Sequence, residues 1–102
     1  MDYRVLYTQK ALNDLAEIVG YIAEDNADAA ARFSNALVDH VALLSRFPHI
    51  GSMVRRRPNV QKLLHSPFLV YYSIREAKRE VEVVHIRHGA RKPPTSELGD
   101  HE

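Results

Sequence analysis

Residues 83–94 read VVHIRHGARKPP. An apolar run with strand character ends in two histidines and two arginines around one glycine, and two prolines stop it. A cationic corner of this kind suits gripping an anion or cutting one. Cutting RNA through its 2′-hydroxyl needs a base for the hydroxyl proton, an acid for the leaving 5′-oxygen, and a cation against the charge growing on phosphorus. His88 can act as base or acid, because an imidazole titrates near neutrality. Arg91 can clamp a phosphate with its planar fork, and Lys62 can assist from the neighbouring strand. A matched second proton-transfer partner is missing. No tyrosine follows Tyr72, and just beyond Arg91 stand Lys92, two prolines and Glu97. The plain alternative for His88 is a strand-end residue hydrogen-bonded to backbone.

Other chemistries find less support. The four glycines, Gly20, Gly51, Gly89 and Gly99, are isolated, so no phosphate-cradling loop precedes a helix and no nucleotide cofactor is expected. His85 and His88 stand three apart on a strand and so point to opposite faces, which argues against a shared metal ion. His40 has no second histidine at helical spacing and reads as a solvated residue at the edge of a helical pair. No G-x-S-x-G elbow and no cysteine is present. Arg55, Arg56 and Arg57 run consecutively through a loop. They read as solvated charge, or as contacts for a phosphate backbone or an acidic partner segment.

The charge is unevenly spread. Residues 1–50 carry four Lys and Arg against seven Asp and Glu, and residues 51–92 carry ten against three. Residues 93–102 hold three acids and no base. The net +1 therefore conceals a basic second half, a pattern that suits an anionic partner. At 102 residues, 45% hydrophobic and 26% charged, the chain has the size and usage of one small globular domain. With no cysteine, no signal-like N-terminus and no apolar run near ~18–20 residues, a cytoplasmic protein without a membrane span is expected.

The elements that must position this chemistry follow from periodicity. YRVLY at 3–7 reads as a short strand. Thr8 stands where a helix cap would, and Leu12, Leu15, Ile18, Val19 and Ile22 form an apolar stripe behind it. DNAD at 25–28 supplies a break and a new cap. Phe33, Leu37, Val41 and Leu44 then share a second helical face, which Pro48 ends. The short link predicts an antiparallel helical hairpin. PHIGSMVRRRPN reads as an irregular stretch. Strands follow at 60–65, 68–74 and 80–89, separated by Ser66–Pro67 and the charged REAKR. The second is almost wholly apolar, as suits a central strand. In the third the alternation slips at Val83–Val84, where a β-bulge would put Val81, Val83, Val84 and Ile86 on one side. The expected fold is α+β, in two layers: a short N-terminal strand and a helical hairpin packed on a mainly antiparallel sheet, in the order βααβββ. One domain is expected over 1–92, with a flexible tail at 93–102.

These residues resemble a known family. The first strand and helical hairpin, FPHIG, LVYYSI and VVHIRHGARKPP together resemble the ParE branch of the RelE/ParE toxins, over roughly residues 3–92. Those are the toxic halves of type II toxin–antitoxin modules, often called plasmid stabilisation proteins. The resemblance implies two alternatives. RelE-like members are ribosome-dependent endonucleases that cut mRNA with basic residues of the sheet and a late tyrosine or histidine. Lys62 and Arg91 match two such positions, Leu69 stands where an arginine is expected, and the late tyrosine falls near Glu97 or is absent. ParE-like members lack the set and poison DNA gyrase, and this sequence resembles them more. A third alternative is a non-toxic binding module. The resemblance also implies a cognate antitoxin that folds onto the toxin as a helix and an added strand. Arg55, Arg56, Arg57, Lys62, Arg87, His88 and Arg91 are the candidate contacts to target or antitoxin. Lys62, His88 and Arg91 are the candidate catalytic set if the chain cuts RNA.

Overall fold

The computed structural model describes residues 2–90. Strand β1 (Arg4–Tyr7) leads into helix α1 (Gln9–Asp25). Thr8 caps α1, its hydroxyl accepting from the Ala11 amide at 3.1 Å. Asn26 then starts α2 (Ala27–Ala42), its side-chain oxygen accepting from Ala29 at 2.9 Å. A 3₁₀ turn over Leu43–Ser45 closes the helical hairpin. Four strands follow: β2 (Ser52–Val54), β3 (Arg57–His65), β4 (Phe68–Arg75) and β5 (Glu80–His88). They form one sheet with β1 in the order β1-β5-β4-β3-β2. β1 runs parallel to β5, and the other pairs are antiparallel.

The expected α+β order is present, with one addition. A three-residue strand, β2, lies inside the stretch read as irregular, and it pairs with β3 through a two-residue turn at Arg55–Arg56. Three residues are too few to show a period, so alternation could not reveal it. The apolar strand at 68–75 is central, as its composition predicts.

Both helices cover one face of the sheet. Ala11, Leu37, Val41 and Leu44 pack with Leu63, Val70, Tyr72, Val81, Val83 and Ile86 in the main core. The buried face of α2 is the one that its spacing predicts. That of α1 is rotated: Ala11 and Asp14 are buried, whereas Leu12 is 45% exposed. A second, smaller cluster occupies the opposite face of the sheet, with Tyr71 and Val54 buried among Val60, Leu69 and Val84.

The bulge sits where the phase slips. Tyr71 pairs with His85 and Tyr72 with Val83, so Val84 is the extra residue. It brings three of the four apolar residues, Val81, Val83 and Ile86, to the main core and sends Val84 to the other face. No helix among the described residues is long and apolar enough to cross a membrane.

Candidate functional site

Strand register decides which side chains share a face. Directly paired residues point the same way, and successive residues alternate. Lys62 pairs with Tyr71, and Tyr71 with His85. Those three therefore lie on the face away from the helices. His88 pairs with Phe68, whose even-numbered neighbours Val70 and Tyr72 line the main core. His88 thus lies on the helical side, at the far end of the sheet. β4 also separates β3 from β5, so Lys62 is not on the strand next to His88. That corrects the expected neighbourhood of the two.

His88 is bound as its plain alternative requires. Its Nδ1 accepts from the Ala90 amide at 3.0 Å, and its ring meets Phe68 edge-on at 5.3 Å. Arg87 is held to the outer face. Its Nε and Nη2 donate to the Tyr71 hydroxyl at 3.0 and 2.7 Å, and Nη1 donates to the His88 carbonyl at 3.1 Å. Arg55 and Arg56 are exposed in the β2–β3 turn, and half-buried Arg57 opens β3. Arg91 lies outside the described residues, as does the tail at 93–102.

Three clusters escaped the sequence reading. The first ties α1 to the open edge of β5. β1 pairs with β5 only as far as Val83, so the backbone beyond lacks a strand partner on that side. Asp14 fills the place: its Oδ2 accepts from the Ile86 amide at 3.0 Å and contacts His85 Nδ1 at 2.7 Å. Lys10 Nζ lies 2.5 Å from Asp14 Oδ1 and 3.2 Å from His85 Nδ1, neutralising the buried carboxylate. An acid at a position spaced with Ala11, Leu15 and Ile18 was the available signal.

The second cluster corrects the reading of His40. It is half-buried, with its Nδ1 2.9 Å from Nδ1 of His65. Two lone pairs cannot meet at that distance, so one imidazole donates and the other accepts. Burial, and then the neighbouring His40, pushes the His65 pKa down. Phe33 stacks edge-on to His65 and also meets Phe68, linking α2 to the sheet end.

The third is a lock on the loop before β2. The buried Tyr72 hydroxyl accepts from the Gly51 amide at 3.0 Å and lies 2.8 Å from the Pro48 carbonyl and 2.9 Å from Gln61 Oε1, one of which takes its proton. Burial raises the Tyr72 pKa against the opposing Gly51 amide, which keeps that proton in place. A Cβ at Gly51 would stand 2.5 Å from the Lys62 carbonyl and 2.6 Å from the Tyr72 hydroxyl. Only glycine fits.

A groove of about 950 Å³ runs between the helical hairpin and the end of the sheet, lined by Ile18, Tyr21, Phe33, Phe68 and His88 with Glu17 and Glu24 beside them. Among the described residues, no group of three or more histidines and acids is placed to hold a metal ion.

Comparison with known proteins places this architecture. The family model of the ParE toxin of the type II toxin–antitoxin system parDE matches residues 5–93. Y4kP of Sinorhizobium fredii, whose name marks it as a candidate toxin, is 32% identical over 92 residues, spanning 89% of this chain and 93% of its own. Among solved structures, the chromosomal ParDE system from P. aeruginosa superimposes with a TM-score of 0.70 at 22% identity, over 84% of this chain and 95% of that one. The RelBE2 toxin–antitoxin complex from Mycobacterium tuberculosis superimposes with a TM-score of 0.69 at 22% identity, over 86% and 99%.

Proposed function

The chain belongs to the ParE toxin family of type II toxin–antitoxin systems, and from that premise we propose that it acts by holding DNA gyrase rather than by cutting RNA. One observation carries this reading. Lys62 and His88, two members of the set that RNA cleavage would use, lie on opposite faces of the sheet with β4 between their strands. A base, an acid and a cation act together only when all reach one phosphate. A gyrase poison needs no proton shuttle. It needs only to bind one state of its target better than another, which shifts the population toward that state.

A cognate antitoxin completes the proposal. The groove beside α1 and α2 has the apolar lining that an amphipathic helix requires, and the basic second half of the chain suits an acidic segment.

The test is direct. Purified protein is incubated with gyrase and supercoiled plasmid, and cleaved complex is trapped and measured. Accumulation of cleaved complex is the expected result, and no change in cleavage or supercoiling overturns the reading. Primer-extension stops on translated mRNA that vanish with His88→Gln would instead establish cleavage.

A further inference from the structure

The loop before β2, together with Met53 of β2 itself, presents an unusual surface. Phe47 is 54% exposed, Ile50 48% and Met53 63%, although Pro48 and Val54 between and beside them are buried. Here the backbone is pinned from below by the Tyr72 hydroxyl through Pro48 and Gly51, and by turn bonds from Phe47 to Leu43 and from Ile50 to Phe47. The three apolar groups are held outward on a rigid base, and binding through them would order little that is not already ordered.

The stretch of chain that carries them has one sign of charge. No Asp or Glu lies between Asp39 and Glu76, while that stretch holds Arg46, Arg55, Arg56, Arg57, Lys62 and Arg75. One acid from another element reaches this loop: Glu76, 3.1 Å from His49. The φ of Arg56, 62°, is in the left-handed region, where glycine or asparagine would sit more easily. A two-residue turn between antiparallel strands calls for that conformation, and it fixes where the two turn arginines stand.

We infer that Phe47, Ile50 and Met53, with the arginines of the β2–β3 turn, form the surface by which this toxin grips its target, and that the matching patch is an acidic protein surface with an apolar recess. This rests on the reading that the chain acts by holding a protein. A nucleic acid is the poorer match. Phosphates reward the arginines, and a base can stack on Phe47, but Ile50 and Met53 have no π-face to offer. Protein interfaces, by contrast, concentrate aromatic residues, methionine and arginine.

The experiment compares wild type with Phe47→Asp, Ile50→Asp and the double charge reversal Arg55→Glu, Arg56→Glu. Circular dichroism and melting temperature establish that each is folded, and Met53→Glu replaces any that is not. Binding to gyrase holoenzyme is measured at two salt concentrations, binding to a single-stranded RNA oligonucleotide in parallel, and growth arrest in cells lacking antitoxin. The expected result is a Kd for gyrase raised on the order of tenfold or more by each variant, as for a truncated hot spot, and growth arrest lost. Wild-type affinity for gyrase in all folded variants overturns the surface while leaving the gyrase reading intact. Growth arrest by a wild type that does not bind gyrase overturns the gyrase reading alone, and arrest then reports on the surface: lost in the variants it stands, kept it falls. A wild type that arrests nothing and binds no gyrase overturns both. Gyrase affinity left unchanged by the variants, beside RNA binding that falls with the arginine reversal, overturns the protein partner in favour of nucleic acid.

Discussion

At the scale of single residues, two side chains organise backbone that no helix or strand satisfies. Tyr72 and Gly51 act as a unit. Tyr72→Phe leaves the Gly51 amide and Pro48 carbonyl without the hydroxyl, and we expect a loss of about 1–3 kcal/mol in urea unfolding. Gly51→Ala drives a methyl against backbone that cannot retreat, and the expected loss is at least as large. The second such side chain is Asp14. Asp14→Ala strips the acceptor from the Ile86 amide and leaves Lys10 and His85 facing one another. A loss of about 1–3 kcal/mol is expected, together with faster hydrogen exchange at the Ile86 amide. Asp14→Asn, which keeps an acceptor, should lose less. Gly51 was visible in the sequence only as loop punctuation. Its real constraint is a contact with Lys62 and Tyr72, and nothing local in the chain records it.

At the scale of elements, the helical hairpin and the sheet meet through two kinds of contact. The apolar kind is ordinary: Leu37 and Val41 are fully buried, and Leu37→Ala should destabilise by about 2–5 kcal/mol in urea unfolding. The polar kind depends on pH. His65 of β3 shares a proton with His40 of α2, and its folded pKa is depressed. Between that depressed value and the ordinary one near ~6.5 the unfolded chain binds more protons than the folded one, so stability rises with pH. The contribution of His65 is present above about 6.5 and is lost as pH falls toward its depressed value. The urea midpoint of wild type should therefore drop more between neutral and mildly acidic pH than that of His65→Gln. Equal drops in both would remove the pair as the cause. Helix caps and the face of α2 were legible because capping and the 3.6-residue period are local properties. The rotated face of α1 was not, because Asp14 interrupts its apolar stripe and earns its burial from β5, some seventy residues away.

At the scale of the whole molecule, the sheet separates what the sequence set side by side. Lys62 and His88 look like partners in a list of cations, yet one faces outward and the other faces the helices. Removing a general acid or base from an RNA-cleaving site costs typically ~10²–10⁴ in rate. His88→Gln should leave growth arrest unchanged if the protein acts by grip alone, and expression from a titratable promoter would measure it. The charge also separates: α1 and α2 hold six of the thirteen acids, and the stretch from His40 to Arg75 holds none. Binding to an acidic target through that stretch should weaken steadily with added salt.

What the chain determined by itself was whatever depends on near neighbours: the helical hairpin with its caps at Thr8 and Asn26, the central position of the apolar strand, the bulge at the phase slip, and the family to which the pattern belongs. Tertiary structure alone decided which face each strand residue occupies relative to the others. It also decided that His40 meets His65, that Asp14 completes the edge of β5, and that Phe47 and Ile50 are held in solvent. The reason is physical. Periodicity and capping act over a few residues, whereas register, strand order and loop pinning join groups distant in sequence, and a shift of one residue would exchange the two faces of the sheet.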